Sequence, residues 1–173
     1  MSADLEAFNE VVGGVYQAAL DAQTWDEALT RFISHYAPPL WGANFLLWER
    51  PPELGARFVA SANLAAHARE IYATNFAGDN PWSRALSAAP LGRVVCTDDL
   101  CSREELFESA LYKHFLSNWQ MTRALVVTLD RDGRARLAWV MPGPDGQDLT
   151  HLQRGMRLLA PHIQRAVRIS RRI

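Results

Sequence analysis

Two pairs of neighbouring acidic residues are the first candidates for chemistry in this sequence. Asp98-Asp99 and Glu104-Glu105 lie close together along the chain, and two carboxylates that flank a substrate can act as a general acid and a general base. Acidic residues also collect at the start of helices, because the positive end of the helix dipole stabilises their charge. The dipole accounts for both pairs, so we predict that the protein is not an enzyme. A small enzyme that depends on Asp98 or Asp99 is kept as an alternative.

Histidines and cysteines do not form a recognisable metal or cofactor motif. They are His35, His67, His114, His151, His162, Cys96 and Cys101. None stands with a cysteine or a carboxylate at metal-ligand spacing. The sequence also lacks a glycine-rich phosphate loop after a strand and a Gly-x-Ser-x-Gly turn for a nucleophilic serine. We therefore expect neither a metal nor a cofactor.

Cysteine usage and the N-terminus indicate the compartment. Two cysteines do not make the disulfide framework of a small secreted protein. The first ten residues do not read as a signal peptide, and no long apolar run occurs. We therefore expect a cytoplasmic protein without membrane association.

Aromatic residues are more informative than the acids. Six tryptophans among 173 residues is a high count, and the rings cluster in and around the predicted strands and middle helices. Core packing alone explains such a cluster. However, Trp82 and Trp119 lie at the ends of elements, where large rings more often border a cavity. We therefore predict a small-molecule pocket. Its predicted aromatic lining is Phe45, Tyr72, Phe76, Trp82, Tyr112, Phe115, Trp119 and Trp139.

Hydrophobic periodicity, capping residues and turn residues predict the elements that position these side chains. The predicted helices are 4–22, 25 to the Pro38-Pro39 break, 65–76, 82–88, 103–117 and 148–173. The predicted strands are 43–49, 57–62, 93–97, 122–129 and 134–141. Thr24 with Glu27 and Ser102 with Glu105 have the spacing of capping boxes, which mark helix N-termini.

The last two strands form the clearest hairpin. Asp132-Gly133 favours a two-residue turn, and with that tip Val127 pairs with Ala138 while Trp139 shares a face with Val126. Both faces of the hairpin are mostly apolar, so the sheet needs a cover on both sides. The sequence therefore predicts an α+β domain with a mostly antiparallel five-stranded sheet between helices.

The segment 148–173 is predicted to be one long amphipathic helix. Apolar residues recur along it at alternating steps of three and four, which is the spacing of a coiled-coil seam. We predict dimerisation through the strongest part of this stripe, namely Leu149, Leu152, Met156, Leu159 and Ile163. Pro161 predicts a kink, or a joint between two packed helices.

Charge is distributed unevenly along the chain. The net charge is −1, but the six arginines after Thr150 stand in a segment without acids. Without them, 12 basic residues oppose 19 acidic ones, which gives residues 1–149 a net charge of −7. An acidic body with a basic end indicates that the two parts face different surroundings, although cations also stabilise the C-terminal end of a helix.

Three stretches carry a resemblance to a known family. They are Asn80-Pro81-Trp82 after a helix that ends in Tyr72 and Phe76, the run 111–116 (LYKHFL) and the run 158–166 (LLAPHIQRA). Together they resemble the N-terminal sensory half of bacterial LuxR-type helix-turn-helix transcription regulators. The resemblance spans most of the chain. It implies a PAS/GAF-like fold, with a central antiparallel sheet of five to six strands, a sensory domain over 1–147 and a signalling helix over 148–173.

The same resemblance implies a ligand site. In family members that bind acyl-homoserine lactones, a tyrosine precedes an Asp-Pro pair whose aspartate binds the ligand amide. Tyr72 and Asn80-Pro81 match these positions, so Asn80 joins the predicted ligand-binding residues. An amide replaces the acid, Asp79 is displaced by one position, and the tryptophan expected earlier in that helix is absent. These departures argue against this ligand class.

We therefore predict a ligand-sensing regulatory domain of a bacterial transcription regulator that forms a homodimer and signals through its C-terminal helix. The alternative is a protein–protein interaction module with a filled core and no ligand. In the family, DNA is contacted through a helix-turn-helix module that follows the sensory half and is not part of this chain. We expect the chain to be a sensor fragment, or a stand-alone sensor that acts through a partner.

Overall fold

A five-stranded antiparallel sheet separates two groups of helices. The structure is a computed structural model, and it describes residues 2–172 except the side chain of Pro52. The strands are β1 (Asn44–Glu49), β2 (Ala56–Ala62), β3 (Val94–Cys96), β4 (Arg123–Asp132) and β5 (Ala135–Gly143). Their order in the sheet is β2–β1–β5–β4–β3, and neighbouring strands are antiparallel.

The helices differ in length on the two sides of the sheet. They are α1 (Ala3–Leu20), α2 (Trp25–Tyr36), α3 (Ala66–Ile71), α4 (Pro81–Leu86), α5 (Arg103–Glu108), α6 (Ala110–His114) and α7 (Thr150–Ser170). A π-helical turn, Tyr72–Phe76, continues α3. Short 3-10 segments are Ala22–Thr24, Pro52–Leu54, Ala77–Asp79, Thr97–Asp99 and Leu116–Trp119.

Alternation along the strands gives each side of the sheet its own core. Because successive strand residues point to opposite faces, an apolar strand buries two different sets of side chains. The long-helix face, covered by α1, α2 and α7, includes Leu46, Leu125, Val127, Trp139 and Met141. The short-helix face, covered by α3 to α6, includes Leu47, Ala124, Val126, Ala138 and Val140. The α+β prediction, with an antiparallel sheet between helices and a long C-terminal helix, is confirmed.

One helix boundary and one capping interaction differ from the sequence prediction. The helix predicted over 103–117 breaks at Ser109, whose backbone is extended (φ −70°, ψ 149°) and whose hydroxyl accepts a hydrogen bond from the Tyr112 amide. The capping box predicted at Thr24 is wrong, because the Thr24 hydroxyl donates to the Asp21 carbonyl at 2.9 Å instead. The Ser102 hydroxyl does cap α5, since it accepts from the Glu105 amide at 3.1 Å.

The β4–β5 hairpin has a different register from the predicted one. Asp132 pairs with Ala135, so the turn is Gly133-Arg134, and Val127 pairs with Trp139. The register shifts between Thr128 and Asp130, where β4 contains a bulge. Residues that pair directly across two strands lie on the same face of the sheet, so a register shift of one residue changes which side chains share a face. Trp139 therefore lies on the long-helix face with Val127, and not on the face of Val126.

Helix α7 packs along the long-helix face and against α1. It is continuous from Thr150 to Ser170, so no joint between two helices divides it, and Pro161 lies on its exposed side. Ile173, the last residue of the predicted helix, lies outside the described residues. The stripe predicted as a dimer seam is only 0–6% exposed, and comprises Leu149, Leu152, Met156, Leu159 and Ile163. The prediction of dimerisation through this stripe is corrected, because these side chains fill the core of their own chain.

We expect a histidine in the contact between α1 and α7 to make stability sensitive to pH. The hydroxyl oxygen of Tyr16 lies 3.2 Å from Nδ1 of His162, and the ring of Phe8 meets the imidazole edge-on at 5.9 Å. Burial, and secondly the charge of Arg165, lower the pKa of His162 below its ordinary 6.5. The folded state therefore favours the neutral ring, and the stability present above pH 6.5 is lost as the pH falls towards the lower folded-state pKa.

We expect His162→Gln to remove this part of the pH dependence. Urea unfolding midpoints at pH 7.5 and pH values below 6.5 provide the measurement, and His67→Gln, at an exposed position on α3, is the control. An unchanged acid-side loss of stability in His162→Gln would contradict the assignment.

Candidate functional site

A cavity of about 50 Å³ lies between the short-helix face and the helices that cover it. Its floor is apolar and comes from three neighbouring strands, with Leu47 on β1, Val126 on β4 and Val140 on β5. Its roof comes from the short helices and the turns between them. The aromatic residues of the lining are Phe45, Phe58, Tyr72, Trp82 and Phe115. The arrangement is a partly enclosed, ring-rich chamber.

Five of the nine predicted ligand-binding residues meet at this cavity. They are Phe45, Tyr72, Asn80, Trp82 and Phe115. Phe76 and Trp119 form an outer layer, since their rings contact that of Phe115 at 5.6 and 4.9 Å. Tyr112 packs against Phe107 at 4.5 Å, away from the lining. The prediction that Trp139 lines the cavity is corrected, because Trp139 lies on the opposite face of the sheet, where its indole N–H donates to Asn44 at 2.6 Å.

Asn80 organises the roof of the cavity. It caps α4, because its side-chain oxygen accepts from the Trp82 amide at 2.9 Å. Its side-chain nitrogen donates to the Tyr72 hydroxyl, also at 2.9 Å. Both ends of the amide are therefore engaged, and together they tie the Tyr72 hydroxyl to the first turn of α4. Burial, and secondly the charge of Glu49, raise the pKa of Tyr72, so its hydroxyl stays protonated.

One end of the cavity is polar. Arg136 and Glu49 form an ion pair there, with side chains only 7% and 16% exposed. The Arg136 Nε donates to Glu49 at 3.0 Å, and the Ser83 hydroxyl donates to the other carboxylate oxygen at 2.6 Å. The Arg136 Nη1 also donates to the Thr128 hydroxyl at 3.3 Å. A buried pair this fully hydrogen-bonded is held in one geometry, since each broken bond would leave a desolvated polar group.

Sequence reasoning missed Glu49, Ser83 and Arg136. The signal that could have found Arg136 is alternation, because it stands two residues before Ala138 on an otherwise apolar strand and therefore points to the same face. A charged residue at such an inward position needs a partner. Its partner is 87 positions away along the chain, so the pairing itself depends on the fold.

One member of each acidic pair considered first as catalytic forms ion pairs with arginines. Asp98 lies 3.4 Å from Arg103 and 3.3 Å from Arg123, whereas Glu105 lies 3.5 Å from Arg84. These ion pairs give both carboxylates a structural role at the surface.

Nucleophile and metal chemistry find little support in the described part of the chain. Burial, and secondly the charge of Glu105, raise the pKa of the Cys101 thiol to about 11, so it is not a thiolate at neutral pH. Among residues 2–172, no group of three or more histidine, cysteine, aspartate or glutamate side chains could hold a metal ion. The helices within the same range are too short or too polar to cross a bilayer.

Comparison with known proteins identifies the fold but not a close relative. No model of a known protein family matches the chain, and no curated protein matches its sequence. The solved ligand-binding domain of VqsR from Pseudomonas aeruginosa superposes with a TM-score of 0.72 at 14% identity, over 96% of this chain and 97% of that one.

Two further structures have similar folds. The N-acylhomoserine-lactone-dependent LuxR-family transcription factor CepR2 from Burkholderia cenocepacia gives a TM-score of 0.63 at 12% identity, over 96% of this chain and 94% of that one. The phycoerythrobilin-bound GAF domain of a cyanobacterial phytochrome gives 0.60 at 9% identity, over 99% and 97%. The chain therefore has the PAS/GAF-like fold found in the ligand-binding domains of LuxR-type regulators.

Proposed function

We propose that this chain is the ligand-sensing domain of a bacterial transcription regulator, with the cavity on the short-helix face as its ligand site. The observation that carries the proposal is the partly enclosed aromatic chamber with one polar end, because such chambers are the usual form of small-molecule sites. The fold adds support, since VqsR and CepR2 are described as a ligand-binding domain and a lactone-dependent regulator.

The size of the cavity limits what can bind without rearrangement. About 50 Å³ has room for a few water molecules, whereas sites for drug-sized ligands measure about 300–1,000 Å³. A larger ligand therefore needs ring rotation in the roof, and the partly exposed Trp119 next to Phe115 is the ring with most freedom to move. Because both ends of the Asn80 amide are engaged, the contact that an aspartate makes in lactone-binding relatives is not favoured here.

A route from the cavity to α7 passes through the sheet. Glu49 faces the cavity, and its neighbour Trp48 faces α7, where the guanidinium of Arg171 lies 4.4 Å from the centre of the indole ring. Arg171 also donates to Asp130 at 3.0 Å. A ligand that moves Glu49 therefore shifts the strand on which the last turn of α7 rests, and we propose that 148–173 transmits this shift from the sensory domain 1–147.

A homodimer is part of the proposal, but it requires a different surface from the buried stripe. Leu158 and Ile169 are 47% and 39% exposed on the outer side of α7. Arg165 lies between them at helical spacing on the same side. This outer side also carries exposed arginines of the basic C-terminal segment. A second copy or another protein that binds here would therefore contact both the exposed apolar side chains and the arginines.

We expect a metabolite screen by thermal shift to find compounds that raise the melting temperature saturably. A ligand at a hundred times its Kd adds about 2.7 kcal/mol, which corresponds to about 5–10 °C for a domain of this size. Val126→Leu adds a methylene at the cavity floor and should abolish most of the shift. Val12→Leu, half-buried on α1 beyond the opposite face, adds the same group and should leave the shift intact.

The small resting volume also favours the alternative, a protein–protein interaction module with a filled core. In that case no compound produces a saturable shift, and Val126→Leu only changes the stability of the free protein. A ligand response that is equal in Val126→Leu and the unsubstituted protein would place the site elsewhere and contradict the cavity assignment.

A further inference from the structure

An arginine-lined groove adjoins the polar end of the cavity. It measures about 390 Å³ and opens to solvent between the β4–β5 turn, the start of the β1–β2 loop and α4. Five arginines and one acid, Glu49, are among its lining residues; the arginines are Arg50, Arg84, Arg131, Arg134 and Arg136. Residues 1–149 hold only 12 basic side chains in all, so a large share of them converges on this one concave surface.

The charge of the groove is only partly neutralised. Arg84 and Arg134 pair with Glu105 and Glu53 in exposed contacts, which water and salt weaken. The Arg131 guanidinium donates instead to two main-chain carbonyls, those of Ser87 and Ala89, at 3.1 and 2.6 Å. These bonds hold the guanidinium in place without cancelling its charge.

Arg50 is held in the same way. Its Nε donates to the Gly55 carbonyl at 3.4 Å. With Arg131 it gives the groove two cations whose hydrogen bonds go to carbonyls, and this makes the surface suited to a negatively charged group.

The groove and the cavity share one wall. Glu49, Asn80, Ser83 and Arg136 line both spaces. Inside this wall the surroundings are mostly apolar rings, and outside it they are mostly guanidinium groups. A single molecule that fills both spaces therefore needs an apolar tail and an acidic head.

We propose that the ligand of this domain is a carboxylic acid with an apolar tail, whose tail enters the cavity and whose carboxylate binds in the arginine groove. The inference rests on the proposed ligand-sensing function and names the ligand class. A carboxylate forms paired hydrogen bonds with a guanidinium, so it binds to Arg50 and Arg131 beside the Glu49–Arg136 pair, which stays intact. The arginines of the groove repel a cationic head, and a neutral head forms no ion pair with them.

The test compares three probes with the same eight-carbon tail: octanoate, 1-octanol and octylamine. Because the resting cavity measures about 50 Å³, the tail of each probe enters it only when rings of the roof rotate aside. We expect octanoate to raise the melting temperature saturably, 1-octanol to act more weakly and octylamine to have no stabilising effect. Added sodium chloride should weaken the octanoate response more than the octanol response, because only the former depends on charge. Acetate should fail, because it has no tail for the cavity.

The matched variants remove equal charge at two places. Arg50→Gln/Arg134→Gln takes two cations from the groove and should weaken octanoate binding by about tenfold or more, with the response to 1-octanol retained. Arg154→Gln/Arg157→Gln takes two exposed cations from α7 and should bind octanoate normally. Melting temperatures without ligand show whether each variant is folded.

Several results would overturn the inference. Equal binding of 1-octanol and octanoate, with both lost in Val126→Leu, would leave the proposed function standing and remove the acidic head. Acetate that binds as well as octanoate would reduce the groove to an ion site. A tri-glutamate peptide that stabilises the protein where octanoate does not would assign the groove to an acidic protein segment. If no probe binds and the metabolite screen is also empty, the sensing function itself fails.

Discussion

Arg136→Met is expected to lower the free energy of unfolding by about 3–5 kcal/mol, because it leaves the carboxylate of Glu49 buried without its cation. The Ser83 hydroxyl alone then hydrogen-bonds a charge that needs several donors. Urea denaturation at pH 7 measures the loss, and the slope of the transition shows whether the folded state is otherwise unchanged.

The same hairpin provides the control for that prediction. Arg134→Met removes an equivalent pair with Glu53, but those side chains are 74% and 63% exposed, so we expect a change of about 1 kcal/mol or less. In the double variant Glu49→Met/Arg136→Met no charge remains buried, and most of the lost stability should return. Equal losses in Arg136→Met and Arg134→Met would show that the cavity end is solvated and not a desolvated pair.

Gly155→Ala is expected to destabilise the protein by about 2 kcal/mol, although alanine is the better helix former. A Cβ at position 155 would lie 2.5–2.6 Å from two ring atoms of Tyr36. That ring cannot move away easily, because it is stacked on Phe32 at 4.9 Å and packed against His151 at 5.0 Å. The glycine therefore lets α7 approach Tyr36 of α2 closely.

Gly13→Ala is the matched comparison, and its expected sign is opposite. Gly13 lies within α1, and a Cβ there would meet no atom within 4 Å, so the helix gains about 1 kcal/mol from the better helix former. Thermal unfolding of both variants should separate them by about 6–12 °C. Stabilisation by both substitutions would mean that α7 is not docked on α2 as described.

The fold was predictable because its signals are local. Turn residues and periodicity located every strand to within a few residues, and two apolar faces on one hairpin implied helices on both sides of the sheet. The terminal stripe shows the limit of that reasoning. A helix buries an apolar stripe equally well against its own sheet or against another chain, and Leu152 and Ile163 look the same in either case.

The candidate site was predictable only in part. The clustering of aromatic residues located the region of Tyr72 and Phe115, because both residues fall in helices that the sequence predicts and that cover the same face of the sheet. Trp139 was misplaced by the hairpin register, which depends on a bulge that no turn motif announces. The pairing of Glu49 with Arg136 joins the two sides of the β1–β5 contact, and only tertiary structure decides it.

The opposite orientations of the neighbours Trp48 and Glu49 limit where the chain tolerates insertions and deletions. The Trp48 side chain lies under Arg171, directly after α7, and the Glu49 side chain closes the cavity, so inserting or deleting a single residue earlier in β1 would exchange their environments. The carboxylate would then enter an apolar interior, and the indole would occupy the polar end of the cavity. Length variation is therefore compatible with the fold in the loop that follows Arg50, but odd-numbered changes inside this strand are not.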